Sequence, residues 1–133
     1  MRVIYSKWFK ENQLDNLRQG FKLKIVDFMA AAATNSLAKL PGRNKKSNDA
    51  NTENTNFVKL AEYANEYNLW HYHLGIPNYS KSKDGDLTSN WVLHYRYVNK
   101  ETIEIVYVGD HNPFSLPTKS MMDITEAFLK NYK

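Results

Sequence analysis

In the stretch Trp70-His71-Tyr72-His73-Leu74 two imidazoles alternate with large apolar side chains. Alternate residues of a β-strand share a face, so His71 and His73 point one way while Trp70, Tyr72 and Leu74 point the other. Further along, Trp91, Leu93, Tyr95 and Tyr97 share one face of a second stretch, and His94 and Arg96 share the opposite face with Val92 and Val98. If both stretches belong to one sheet with helices on its apolar side, His71, His73, His94 and Arg96 converge on a single surface. Imidazole exchanges a proton near neutral pH, and guanidinium is a permanently charged fork that grips phosphate oxygens. Those are parts for cleaving RNA without a metal. A base takes the proton of a ribose 2′-OH, the oxygen attacks the adjacent phosphorus, a cation stabilises the developing charge, and an acid protonates the leaving 5′ oxygen. His71 or His73 serves as base or acid, His94 as its counterpart and Arg96 as the clamp, with the order open.

Plainer readings stand beside this one. Histidine is common on the wetter face of a sheet. His-x-His on one strand with a third His on its neighbour is also a possible zinc site, although no Cys or well-placed carboxylate supports it, and neither a metal nor another cofactor is expected. Arg43, Lys45 and Lys46 are candidate phosphate contacts on a polar loop, or simply solvated charges. Tyr95 and Tyr107 have the chemistry to stack on a base, but both alternate with residues that look buried, so packing is the stronger reading. His111 is a further candidate RNA contact, but it lies in Gly109-Asp110-His111-Asn112-Pro113, where turn chemistry accounts for most residues without a function.

The elements that would position these groups follow from periodicity. Residues 1–7 read as a short strand. From Asn12 to Ala33 the apolar positions Leu14, Leu17, Phe21, Ile25, Phe28 and Ala32 recur at helical steps, and Gly20 marks a possible break. Residues 41–56 contain almost nothing apolar and read as a mobile loop, basic and then polar. Phe57, Leu60, Ala61 and Ala64 suggest a short helix. Strands are expected over Leu69 to Leu74, Trp91 to Val98 and Thr102 to Val108, the last two joined as a hairpin through Asn99-Lys100-Glu101. Residues 77–89 and 110–117 read as loops. Met121, Ile124, Thr125, Phe128, Leu129 and Tyr132 form a helical stripe, with Ser120 and Asp123 spaced like a capping box.

At 133 residues the chain suits one α+β domain spanning residues 1–133. The 42% hydrophobic and 14% aromatic content excludes a disordered chain. Cysteine is absent, which rules out disulfides and thiolate chemistry and agrees with a cytoplasmic location. No apolar run approaches the roughly 20 residues that span a bilayer, and the first ten residues lack the apolar core of a signal peptide, so neither export nor a membrane partner is expected. The net charge of +4 is uneven: residues 1–48 carry ten Lys/Arg against three Asp/Glu. A basic first third favours a polyanionic partner.

Several segments together resemble the YafO family of bacterial toxins within the RelE/ParE-like superfamily. They are the opening Met1-Arg2-Val3, the loop Leu40-Pro41-Gly42-Arg43, the strand Trp70-His71-Tyr72-His73-Leu74 with the hairpin after it, and Met122-Asp123-Ile124-Thr125-Glu126-Ala127-Phe128. The His-x-His-Leu match is the most specific. The resemblance implies a RelE-like fold, a twisted antiparallel sheet with helices packed on one side and a C-terminal helix. It further implies the toxin of a type II toxin-antitoxin system, an endoribonuclease that cuts mRNA on the ribosome, arrests translation and growth, and is neutralised by a cognate antitoxin. The basic charge predicts that the antitoxin is acidic where it docks. The alternative of another class is a non-catalytic binding module on the same fold, for example gyrase-directed, or a zinc-binding protein built on the histidines.

Overall fold

The computed structural model describes residues 1–49, 55–112 and 114–124. Five strands form one mixed sheet in the order β1 (Arg2–Tyr5), β7 (Thr102–Asp110), β6 (Trp91–Asn99), β3 (Leu69–His73), β2 (Asn44–Lys46). The β6–β7 hairpin and the β3–β6 neighbourhood are antiparallel, with His71 opposite His94. The expectation of an all-antiparallel sheet needs correction at one edge, where β1 runs parallel to β7. Its alternation suits either direction, so the sequence pattern alone does not choose between them.

Three helices flank the sheet: α1 (Lys7–Asn12), α2 (Gln19–Ala33) and α3 (Thr55–Glu66). The single helix read over Asn12 to Ala33 is a 3₁₀ turn, Leu14–Asn16, followed by α2, because the chain extends at Leu17 and Arg18. Gly20 therefore sits in the first turn of α2, just after the break. The inward stripe holds: Ile25, Phe28 and Ala32 are buried against Tyr72, Leu93, Tyr95, Ile103 and Ile105. On the other face Ala64 of α3 joins Leu69, Val106 and Met122 in a second cluster. Helices thus cover both faces, not one, because Leu69 projects with the histidines and needs its own cover.

Two segments read as loops carry strands. Asn44–Lys46 is edge strand β2, whose polar side chains suit a half-solvated edge position. Within residues 77–89, β4 (Ser80–Lys81) and β5 (Leu87–Thr88) form a small separate ribbon. Gly42 is held so close to β3 that a Cβ there would lie 2.1 Å from the His73 carbonyl oxygen, which explains a glycine beside β2. The expected C-terminal helix lies mostly outside the described residues; its start, Lys119–Met121, is a 3₁₀ turn. Asp123 does not close a capping box: its side chain accepts from the Lys7 N–H of α1 at 3.0 Å.

Candidate functional site: a histidine cluster on the floor of a basic groove

Strand β3 places His71 and His73 on the face that α3 covers only at its Leu69 end, and β6 adds His94. The chain leaving β7 then turns back over the sheet, anchored by the His111 N–H donating to the Asn90 carbonyl at 2.5 Å. His111 thereby joins the cluster, its ring centre 5.1 Å from that of His73 and 5.9 Å from that of His71. Phe114 lies against His71, His94 and His111 at 4.9, 5.3 and 5.1 Å. Neither Phe114 nor the proximity of His111 was visible in spacing, because both depend on the path of a loop.

A groove of about 1220 Å³ opens above the cluster. Its floor includes His71, His111 and Phe114; Arg43, Lys45 and Lys46 border it from the β2 side, Lys59, Leu60 and Tyr63 from α3, and Lys119 from the far end. Lys59 and Lys119 escape a strand-based reading, since one rides a helix and the other a turn. Two of the cations have carboxylate partners among the described residues, and Lys119 Nζ lies 6.0 Å over the Tyr67 ring. Arg43 holds Asp86 through two contacts of 2.5 and 2.8 Å, which raises its own pKa and lowers that of Asp86. Lys45 pairs with Asp49 at 2.5 Å.

Five expected site residues do not line the groove: His73, His94, Arg96, Tyr95 and Tyr107. Arg96 is buried, donating from Nε to Glu104 at 2.8 Å and from Nη2 to the Asp123 carbonyl at 2.7 Å, so it ties the sheet to the chain's end instead of clamping phosphate. His94 is wholly buried, stacked on Tyr107 with ring centres 4.9 Å apart. Tyr95 faces the opposite side of the sheet, packed on Phe28 and donating its hydroxyl to Asn44. Tyr107, which strict alternation with Ile103 and Ile105 would put on the core side, is turned to the histidine face by a β-bulge: β7 slips one residue between Tyr107, opposite His94, and Ile105, opposite Tyr95. There it packs on His94 rather than opening to a base.

Burial keeps these imidazoles neutral. His71 is pushed down to about 2, by burial first and then by its histidine neighbours, and His94 to about 3 for the same reasons. His73 and His111 are also lowered, again by burial first. The Nδ1 of His71 is 2.8 Å from Ser47 Oγ, and the Nδ1 of His73 is 2.9 Å from both the carbonyl and the N–H of Ser89. Buried side-chain atoms without a hydrogen-bond partner, among the described residues, are His73 Nε2, both nitrogens of His94 and Glu104 Oε2.

No family model, curated protein or solved structure matches this chain. No helix among the described residues is long and apolar enough to cross a membrane.

Proposed function

We propose that the groove binds single-stranded RNA and cuts it, and that the chain acts as an endoribonuclease toxin on ribosome-bound mRNA in the cytoplasm, restrained by an antitoxin with an acidic docking segment. The observation that carries this reading is the meeting of two imidazoles, His71 and His111, with a rim of five cations, Arg43, Lys45, Lys46, Lys59 and Lys119. Phosphates along the rim would release counterions, and the open apolar surfaces of Leu60 and Phe114 suit unstacked bases.

The chemistry asks for a neutral base at the groove. His111 is the more exposed of the two imidazoles, and its lowered pKa leaves it uncharged at neutral pH. It takes the proton from a 2′-OH; the 2′ oxygen bonds to phosphorus; the bond to the 5′ oxygen breaks, and the imidazolium returns the proton there, leaving a 2′,3′-cyclic phosphate and a 5′-OH. The basic rim neutralises charge on the phosphate. His71 borders the same floor but is too strongly desolvated to serve as the acid.

The test expresses wild type, His111→Ala and a Lys45→Ala/Lys46→Ala pair from a tightly repressed promoter while following growth, protein level and mRNA 5′ ends. Growth arrest with new 5′-hydroxyl ends in the wild type, lost in soluble His111→Ala, supports the reading. Arrest without new ends, or equal cutting by His111→Ala, overturns it. A non-catalytic binding toxin on this fold is the second reading, favoured by Leu60 and Phe114, which offer a protein partner apolar contact in the same groove.

A further inference from the structure

We propose that His71, His73 and His111 form a binding site for one divalent transition-metal ion of the zinc class, opening onto the groove. Each of the three offers a ring nitrogen within 4.8 Å of the other two. Zinc takes imidazole nitrogens at roughly 2.0–2.1 Å in a tetrahedral arrangement, so small side-chain rotations bring three such nitrogens to a common centre.

The surroundings favour metal binding over a plain histidine cluster. A metal-bound imidazole usually donates its other N–H to an oxygen, which orients the ring and raises its basicity. His71 has Ser47 Oγ at its Nδ1, and His73 Nδ1 lies between the Ser89 carbonyl and the Ser89 N–H; in the tautomer that donates from Nδ1 to those oxygens, each ring keeps the Nε2 lone pair for an ion. His73 Nε2 is buried with no partner among the described residues. An orphaned buried nitrogen calls for a water or an ion, and next to two more imidazoles an ion satisfies all three. His94, which sequence spacing would choose as the third ligand, is the wrong one: it is stacked beneath Tyr107, and the loop histidine replaces it.

With His71 and His111 bordering the groove, an ion held here leaves one coordination position for water or an anionic ligand from that side. The site stands whether or not the groove cuts RNA. An ion there takes the His111 lone pair, so proton transfer by His111 and metal occupancy exclude each other.

The experiment uses protein without a histidine tag, stripped with chelator, then titrated with Co²⁺ by visible absorption and with Zn²⁺ by calorimetry. We expect saturation at one ion per chain, with the intense absorption of tetrahedral cobalt. His111→Ala changes a half-exposed position after β7 and is expected to weaken binding more than about tenfold with the fold retained. Ser47→Ala is expected to weaken it by about tenfold through the outer contact to His71. His94→Phe should leave one-ion binding intact. No saturable binding by the folded wild type, or binding by His111→Ala equal to wild type, overturns the site. Binding without RNA cleavage would leave this site standing and remove the ribonuclease reading; cleavage by stripped protein with no metal binding would do the reverse.

Discussion

The two faces of the sheet are buried to similar depth and built on opposite terms. Under α2, Phe28 meets Tyr72 and Tyr95 at ring distances of 5.6 and 4.9 Å, and the polar tips of that face find partners: Tyr95 donates to Asn44, and Tyr79 donates to the His73 carbonyl. On the other face three histidines and an Arg-Glu pair are buried together, and every buried side-chain atom without a partner among the described residues lies there. An interior that leaves polar atoms unsatisfied gives up stability, of order 1–3 kcal/mol per group. The contrast separates a face whose polar tips are satisfied within the fold from one that carries its own core cluster and ion pair yet leaves buried nitrogens and a carboxylate oxygen unpaired among the described residues.

Removing one charge from the histidine face should break the comparison most sharply. Glu104→Ala leaves the Arg96 guanidinium buried without its carboxylate and is expected to cost about 3–5 kcal/mol, read by urea unfolding. Joint replacement by Arg96→Met and Glu104→Leu should recover most of that loss. Phe28→Ala opens a cavity on the opposite face and should cost a similar or slightly smaller amount, about 3–4 kcal/mol, with no change in metal or RNA binding.

Acid sharpens the contrast further. The folded pKa values of His71 and His94 lie far below the roughly 6.5 of an unfolded histidine, so below that pH the unfolded chain holds the extra protons. Stability is therefore full above about pH 6.5 and falls on acidification at up to roughly 1.4 kcal/mol per pH unit for each of the two. His94→Phe should remove one such contribution in unfolding curves taken between pH 4 and pH 7. Gly42→Ala, which forces a methyl against the His73 carbonyl, should cost about 1–3 kcal/mol in the same assay. The smallest effect is expected from Asp86→Ala, which removes the nearer of the two carboxylates paired with Arg43 and leaves Asp84 at 3.8 Å: RNA-fragment affinity should rise at low salt, and the gain should fade as salt is added.

The central strands were legible because alternation is strict there: His71 and His73 fall where period two puts them, and the β6–β7 hairpin closes through Asn99-Lys100-Glu101. The stripe Ile25, Phe28, Ala32 was equally plain. Alternation failed where a bulge consumed one residue and sent Tyr107 to the other face. It also could not tell a reaching cation from an internal one, since Arg96 owes its role to Glu104 on the neighbouring strand. Asn44–Lys46 was missed because an edge strand needs no apolar side chains. His111 was noticed as a residue but not as a member of the cluster, because a turn's direction is set by tertiary contacts such as the bond to Asn90.

The parallel pairing of β1 with β7, Arg2 opposite Thr102 and Tyr5 opposite Ile105, has a consequence in time. A ribosome adding about 5–20 residues per second makes the first strand roughly 5–20 s before the strand that must receive it. Until then the sheet lacks both its edge and the segment that carries Tyr107 and His111 into the cluster. The groove and the histidine cluster beneath it are therefore completed only once most of the chain has been made.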